Sequence, residues 1–188
     1  MNEMQTRTPM TNLRIVVMGV SGCGKSTVGE LLAQALGCRF IDGDDLHPEA
    51  NKKKMAAGTP LNDEERLPWL NLVSAALSGA PNRVDWFATI KPVGTVVACS
   101  ALKRSYRKRI LESAPGTVFV HLHGSENLLL ERLNSRTEHF MKSSMLKSQL
   151  ETLESLSADE PGSVYDIATP VEELVTQITG DLPKFVAQ

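Results

Sequence analysis

Cysteine is scarce in this chain. Cys23, Cys38 and Cys99 are the only three in 188 residues, and no two form a C-x-x-C pair. A disulfide framework is therefore not expected, and a reducing, cytoplasmic setting is. Long apolar runs are missing as well. None approaches the roughly 18 residues that a membrane span requires. The N-terminus is polar and its first apolar run is short, so it does not read as a signal peptide. Neither sign of charge dominates: the net charge of −2 argues against general nucleic-acid binding. Repeats and low-complexity tracts are absent. What is present is one domain's length of sequence, 41% hydrophobic, enough to bury a full core.

One stretch organises the rest. Residues 16–18 end a short apolar run, and Gly19, Val20, Ser21, Gly22, Cys23, Gly24, Lys25 and Ser26 fit G-x-x-x-x-G-K-[ST], with Thr27 following. This is the spacing of a phosphate loop. A triphosphate needs many donors converging from one side, and backbone N–H groups supply them where side chains are absent. Gly19, Gly22 and Gly24 permit that approach. A helix beginning near Lys25 adds its free N–H groups and the positive end of its dipole. Lys25 is expected on the β/γ-phosphates of a nucleotide and Ser26 on Mg²⁺. The apolar stripe Val28, Leu31, Leu32, Ala35 and Leu36 supplies the helix that such a loop must precede.

The periodicity predicts strands over about 14–18, 38–41, 95–99, 117–122 and 164–167, alternating with helices. Such alternation implies a parallel sheet covered on both faces. Residues 1–12 read as a frayed end and 13–188 as one domain. A helical region spans about 45–78, an irregular loop about 79–94 and a lid about 132–146. Asp42 and Asp44 follow the second strand, where open α/β sheets place their ligands. Asn62 and Glu65 have capping-box spacing, and Pro68 either kinks that helix or starts it. Thr169, Pro170 and Glu172 suggest a second capping box. Lys103, Arg104, Arg107, Lys108 and Arg109 read as a solvated basic face, with one or two residues turned to an anionic substrate. His121 and His123 share a strand face, too few ligands for zinc; a hydrogen-bonded structural role is expected.

Several stretches together resemble the gluconate kinases, a small phosphate-loop type related to shikimate and adenylate kinases. They are residues 19–27, Asp42-Gly43-Asp44 with His47-Pro48, Pro68-Trp69-Leu70, and Cys99-Ser100-Ala101-Leu102-Lys103 with Tyr106-Arg107. Arg132-Leu133 with Arg136, His139-Phe140, and Gln149 with Thr152-Leu153-Glu154 complete the series. The segment between Trp69 and Cys99 is longer than usual for that family, and Lys108 stands where it often has Asp.

The resemblance implies a three-layer kinase fold with a five-stranded parallel sheet and a lid, and often a homodimer. It implies ATP-dependent phosphorylation of D-gluconate at its 6-hydroxyl. In that frame Asp44 is the expected base, Asp42 and Ser26 the metal residues, and Lys25, Arg132 and Arg136 the stabilisers of transferring charge. Arg66, Lys103, Arg107, His139 and His47 are the expected gluconate ligands, with Arg66 favoured for the carboxylate. Another small-molecule kinase, for shikimate or a nucleoside monophosphate, is the alternative. A nucleotide switch without acceptor chemistry would have no use for Asp44 and the arginines.

Overall fold

The computed structural model describes residues 12–79, 92–135 and 143–186. Five strands, β1 Leu13–Met18, β2 Arg39–Asp42, β3 Gly94–Ala98, β4 Val118–His123 and β5 Gly162–Asp166, form one sheet in the order β2-β3-β1-β4-β5. All pairings are parallel, as the alternation predicts. Five parallel strands need crossovers, and helices supply them: α1 Lys25–Leu36, α2 Glu49–Ala56, α3 Asp63–Leu77, α4 Arg104–Ser113, α5 Glu126–Asn134 and α6 Ser143–Thr152; α7 Val171–Asp181 and α8 Pro183–Val186 follow the last strand. The frayed end and the loop expected over 79–94 fall mainly outside the described residues, as does the middle of the expected lid, 136–142.

The pleat of β1 shows how the layers arise. Ile15 and Val17 enter one core with Val28 and Leu32 of α1, Leu129 of α5, Leu146 of α6, and Leu174 and Ile178 of α7. Val16 and Met18 enter a second core with Trp69, Leu70, Val73 and Leu77 of α3 and Ile110 of α4. A strand buried on both faces must be apolar, and β1 is from Ile15 to Met18; Arg14, near its start, is only half-buried. Each fully buried aliphatic or aromatic side chain contributes about 1.5–3 kcal/mol.

Local signals explain several helix ends. Gly37 closes α1 in the left-handed conformation, φ 67°. Asn62 and Glu65 form the full capping box of α3. Pro68 lies inside α3 rather than at its start. It removes one backbone donor, and the buried Trp69, Leu70, Val73 and Leu77 offset that loss. The second capping box does not form. Pro170, with φ −53° and ψ 142°, itself occupies the N-cap position of α7, and no side chain caps that helix. Thr169 is one residue too far out. Its N–H instead donates to the Asp166 carbonyl at 3.1 Å, and the Asp166 carboxylate takes the N–H of Ala168 at 2.9 Å.

The basic face of α4 is also corrected. Arg107 is fully buried. Its Nε and Nη2 donate to Glu160 at 2.6 and 2.9 Å. Nη1 serves the carbonyls of Ala101, Leu102 and Glu154, and Nη2 also reaches that of Ser155. With its donors committed and no solvent face, Arg107 is an internal anchor and not a substrate ligand. Arg104 likewise pairs with Asp159.

Burial alone would raise the Glu160 carboxyl, but the bonds from Arg107 and the Ser157 N–H outweigh it and hold it below the usual glutamate range. The stabilisation is thus present above the ordinary glutamate value and is lost as pH falls beneath it. Glu160→Gln leaves a buried guanidinium without its counter-charge. It should cost about 3–5 kcal/mol in urea unfolding at neutral pH, and the difference from wild type should shrink in acid. An unchanged urea midpoint at neutral pH would contradict this.

Candidate active site

The phosphate loop leaves β1 where a side chain has no room. A Cβ on Gly19 (φ 138°) would lie 2.5 Å from the Leu122 carbonyl oxygen of β4. Gly24 takes φ 91° directly before α1, which aims the first N–H groups of that helix into the loop. Lys25 folds back over the loop, donating to the Val20 carbonyl at 3.0 Å. Arg132 of α5 lies alongside. Its Nη1 is 3.8 Å from where a Gly24 Cβ would stand, and Nη2 donates to the Ile167 carbonyl at 2.7 Å.

The acidic turn after β2 meets the loop. Ser26 Oγ donates to Asp42 Oδ2 at 2.8 Å. Asp42 Oδ1 accepts from the Asp44 N–H at 3.0 Å, capping a single 3-10 turn over Gly43–Leu46. Gly43 is required: a Cβ there would lie 2.4 Å from the Ala98 carbonyl oxygen of β3. The two expected metal residues therefore touch, and Asp44 follows them by one hydrogen bond. Adjacent hydroxyl and carboxylate oxygens are the hard donors that Mg²⁺ prefers, so the residues fit that ion. Burial raises the Asp44 carboxyl above the ordinary aspartate value. Lys25 opposes that rise, and Asp42 and Asp45 add to it.

A second group lies on the α3 and α4 side. His47 is buried and stacked on Trp69, ring centroids 4.2 Å apart and 11° from parallel. Trp69 is fixed in turn by Nε1 donating to the Gly43 carbonyl at 2.6 Å. Arg66 and Lys103 both stand over the Tyr106 ring, 5.8 and 5.5 Å from its centroid. Lys103 pairs with Asp63 at 2.8 Å, and the Tyr106 hydroxyl donates to the same carboxylate at 2.5 Å. Hydrogen bonds from Lys103 and Tyr106 hold Asp63 below the usual aspartate range.

Of the expected site residues, the structure thus gathers Gly19 to Thr27, Asp42, Asp44 and Arg132 at one end, and His47, Arg66 and Lys103 on the adjoining α3–α4 side. Arg107 is excluded. Arg136 and His139 lie outside the described residues. Sequence reasoning missed the Trp69 shelf under His47 and the Asp63–Tyr106 support of Lys103. It named Gln149 of α6 only as part of the resemblance and missed its contact: Oε1 accepts from the Ser21 N–H of the loop at 2.6 Å. The hydrogen-bonded role expected for His121 is not found. It is buried, and neither ring nitrogen has a partner among the described residues.

The chain is similar to known proteins along most of its length. A family model described as "Shikimate kinase" matches residues 21–179. The chain is 41% identical to a probable gluconokinase of Xenopus tropicalis, over 90% of this chain and 93% of that one. It is 44% identical to the gluconokinase of Gluconobacter oxydans, over 86% of each. Among solved structures, a gluconokinase from Sinorhizobium meliloti is 47% identical with a TM-score of 0.77, over 96% of this chain and 95% of that one.

Burial, with Arg66 and Lys52 nearby, holds the His47 imidazole down at about 4. Burial, with His123 and Arg107, does the same for His121. Both rings are neutral in the fold at neutral pH. They charge more readily in the unfolded chain, so stability falls as pH drops below the ordinary histidine value of 6.5 toward about 4. NMR titration of the two rings should give midpoints near 4. A midpoint near 6.5 for His47 would contradict its buried, stacked placement.

Proposed function

The chain belongs to the gluconokinase family, and we propose that the residues at the carboxyl edge of its sheet transfer the γ-phosphoryl of ATP to the 6-hydroxyl of D-gluconate. The products are ADP and 6-phosphogluconate. The observation that carries this reading is the chain of contacts from Ser26 through Asp42 to Asp44. It sets a carboxylate beside the phosphate loop, on the side from which an acceptor would approach.

The roles follow from charge and reach. The loop from Gly19 to Thr27 holds the triphosphate through those of its backbone N–H groups that are not already bonded within the fold, as those of Gly19 and Ser21 are, and Lys25 neutralises its terminal group. Ser26 and Asp42 would hold Mg²⁺, which when bound supplies positive charge to the phosphates. Asp44 accepts the 6-hydroxyl proton as that oxygen bonds to phosphorus and the bond to ADP breaks. Its raised pKa brings it nearer the working pH of a general base. Arg132, beside Gly24, stabilises the charge in transit; such an arginine is worth about 10³–10⁵ in rate. At the far end Arg66 and Lys103 take the gluconate carboxylate. Neutral His47 accepts or donates a hydrogen bond along the hydroxyls. The residues over about 45–78 are the acceptor side of one domain. The family resemblance further supports a homodimer working in the cytoplasm, which sedimentation and cell fractionation would test. Among the described residues, no helix is long and apolar enough to cross a membrane.

An acceptor panel is the direct test. Gluconate should drive ATP consumption, and shikimate and AMP should not. Chelation by EDTA should abolish turnover, and Mg²⁺ should restore it. Asp44→Asn should keep ATP affinity while lowering kcat by about 10²–10⁴. In wild type, kcat/KM should fall as pH drops through a value above the ordinary aspartate pKa. Near-normal turnover by Asp44→Asn would remove Asp44 as the base.

A further inference from the structure

The mechanism above leaves Gln149 unused, yet its side chain makes the hydrogen bond that ties the described part of α6 to the phosphate loop. Its surroundings are rigid. Leu146, one turn earlier, is buried in the α1 core, and Leu150 packs against that core. The chain after α6 is bound to the acceptor side of the site. The Glu154 N–H donates to the Leu102 carbonyl at 2.9 Å, and Glu154 Oε2 accepts from the Arg104 N–H at 2.6 Å. Arg107 holds the Glu154 and Ser155 carbonyls. Residues 149–155 thus span from the nucleotide loop to the loop that carries Lys103.

We propose that Gln149 is a positioning residue for phosphoryl transfer, fixing the third residue of the phosphate loop against α6 through a neutral amide. This rests on reading that loop as the nucleotide site. Ser21 N–H can only donate, so the partner atom must be an acceptor, which fixes the orientation of the Gln149 amide. Glutamate would accept the same bond and hold the loop equally well. It would also set a full negative charge beside a site built for a polyphosphate anion, at a distance where such charges repel strongly. A neutral acceptor meets both requirements. Asparagine is a methylene shorter and would not reach from the same backbone position.

The test uses the full chain with Gln149→Ala and Gln149→Glu. Four quantities are read: ATP Kd by calorimetry, kcat, gluconate KM and the thermal midpoint. Gln149→Ala should weaken ATP binding about fivefold, as expected for one lost hydrogen bond, and lower kcat roughly tenfold or more through misplacement of the loop. Gluconate KM should stay within about twofold, because the acceptor groups are untouched. Gln149→Glu should keep the wild-type thermal midpoint and bind ATP more weakly than Gln149→Ala. That ordering separates the proposal from a merely structural brace, which Glu would restore. Unchanged ATP Kd and kcat in Gln149→Ala would overturn the proposal, as would wild-type ATP affinity in Gln149→Glu. If Gln149→Ala fails to fold, Gln149→Glu decides alone. If wild type binds ATP but ignores gluconate, the proposed acceptor is wrong, while the two ATP affinities still decide the role of Gln149.

Discussion

The site depends on two places where backbone must approach backbone with no side chain between. Gly19 ends β1 under the Leu122 carbonyl, and Gly43 follows β2 under the Ala98 carbonyl. The register explains why the two turns meet. Val17 of β1 and Asp42 of β2 both lie level with Ala98 of β3. The loop and the acidic turn therefore leave the sheet at nearly the same height, on either side of one strand. Only then can Ser26, one residue into α1, reach Asp42. A methyl group at either glycine would clash with the carbonyl oxygen of a strand residue, Leu122 of β4 or Ala98 of β3. The clash could be relieved only by shifting a strand, so the geometry of the chemistry is written into the sheet and not into the loop alone.

A second constraint holds the opposite wall. The loop after β3 contains Ala101 at φ 42°, a conformation that costs an alanine about 1 kcal/mol or more. It persists because Arg107 takes the carbonyls of both Ala101 and Leu102 from inside the protein. Burying that guanidinium is costly, and a hydrophobic substitute for the whole pair could be as stable. What such a substitute would lack is direction. A guanidinium with its donors committed fixes several backbone carbonyls at once and so fixes where Lys103 begins. In this chain the buried ion pair sets geometry more than it adds stability.

These two constraints differ in how far the sequence discloses them. The phosphate loop, the Asn62–Glu65 capping box and the closing Gly37 are local. Each works through neighbours a few residues away, so spacing reveals it. Arg107 is the contrary case. On the page it is one of five basic residues in a helix, and amphipathic reasoning assigns it to solvent. Its partner Glu160 is 53 residues distant, and no periodicity links them. Gln149 and Ser21, 128 residues apart, are equally invisible. Thr169 failed for a subtler reason. Proline is acceptable both at the N-cap and one position later, and the choice was decided by Asp166 closing the preceding turn. The strand order, with β3 between β1 and β2, also needs three-dimensional packing to be known.

On the proposed reading of the site, the placement of charge suits an elongated hydroxy acid. Asp42, Asp44 and Asp45 cluster with Lys25 at the phosphate end, and Arg66 and Lys103 stand over Tyr106 on the α3–α4 side. Between them His47 is kept neutral by burial and by the very cations it adjoins. A charged histidine there would blur the contrast and draw the acceptor's carboxylate toward the middle of the site. A neutral ring leaves the two ends distinct, so the ligand has one favoured direction. Asp63 opposes this in part, since it already pairs with Lys103. Its side chain is 62% exposed, however, and an ion pair so open to water is worth little. On the proposed reading, an arriving carboxylate shares Lys103 with Asp63 at small cost, and Arg66, whose one hydrogen bond among the described residues is from Nε to the Leu61 carbonyl, offers the rest of its guanidinium for a forked contact. Orientation here is a matter of which charges are cheap to disturb and which are not.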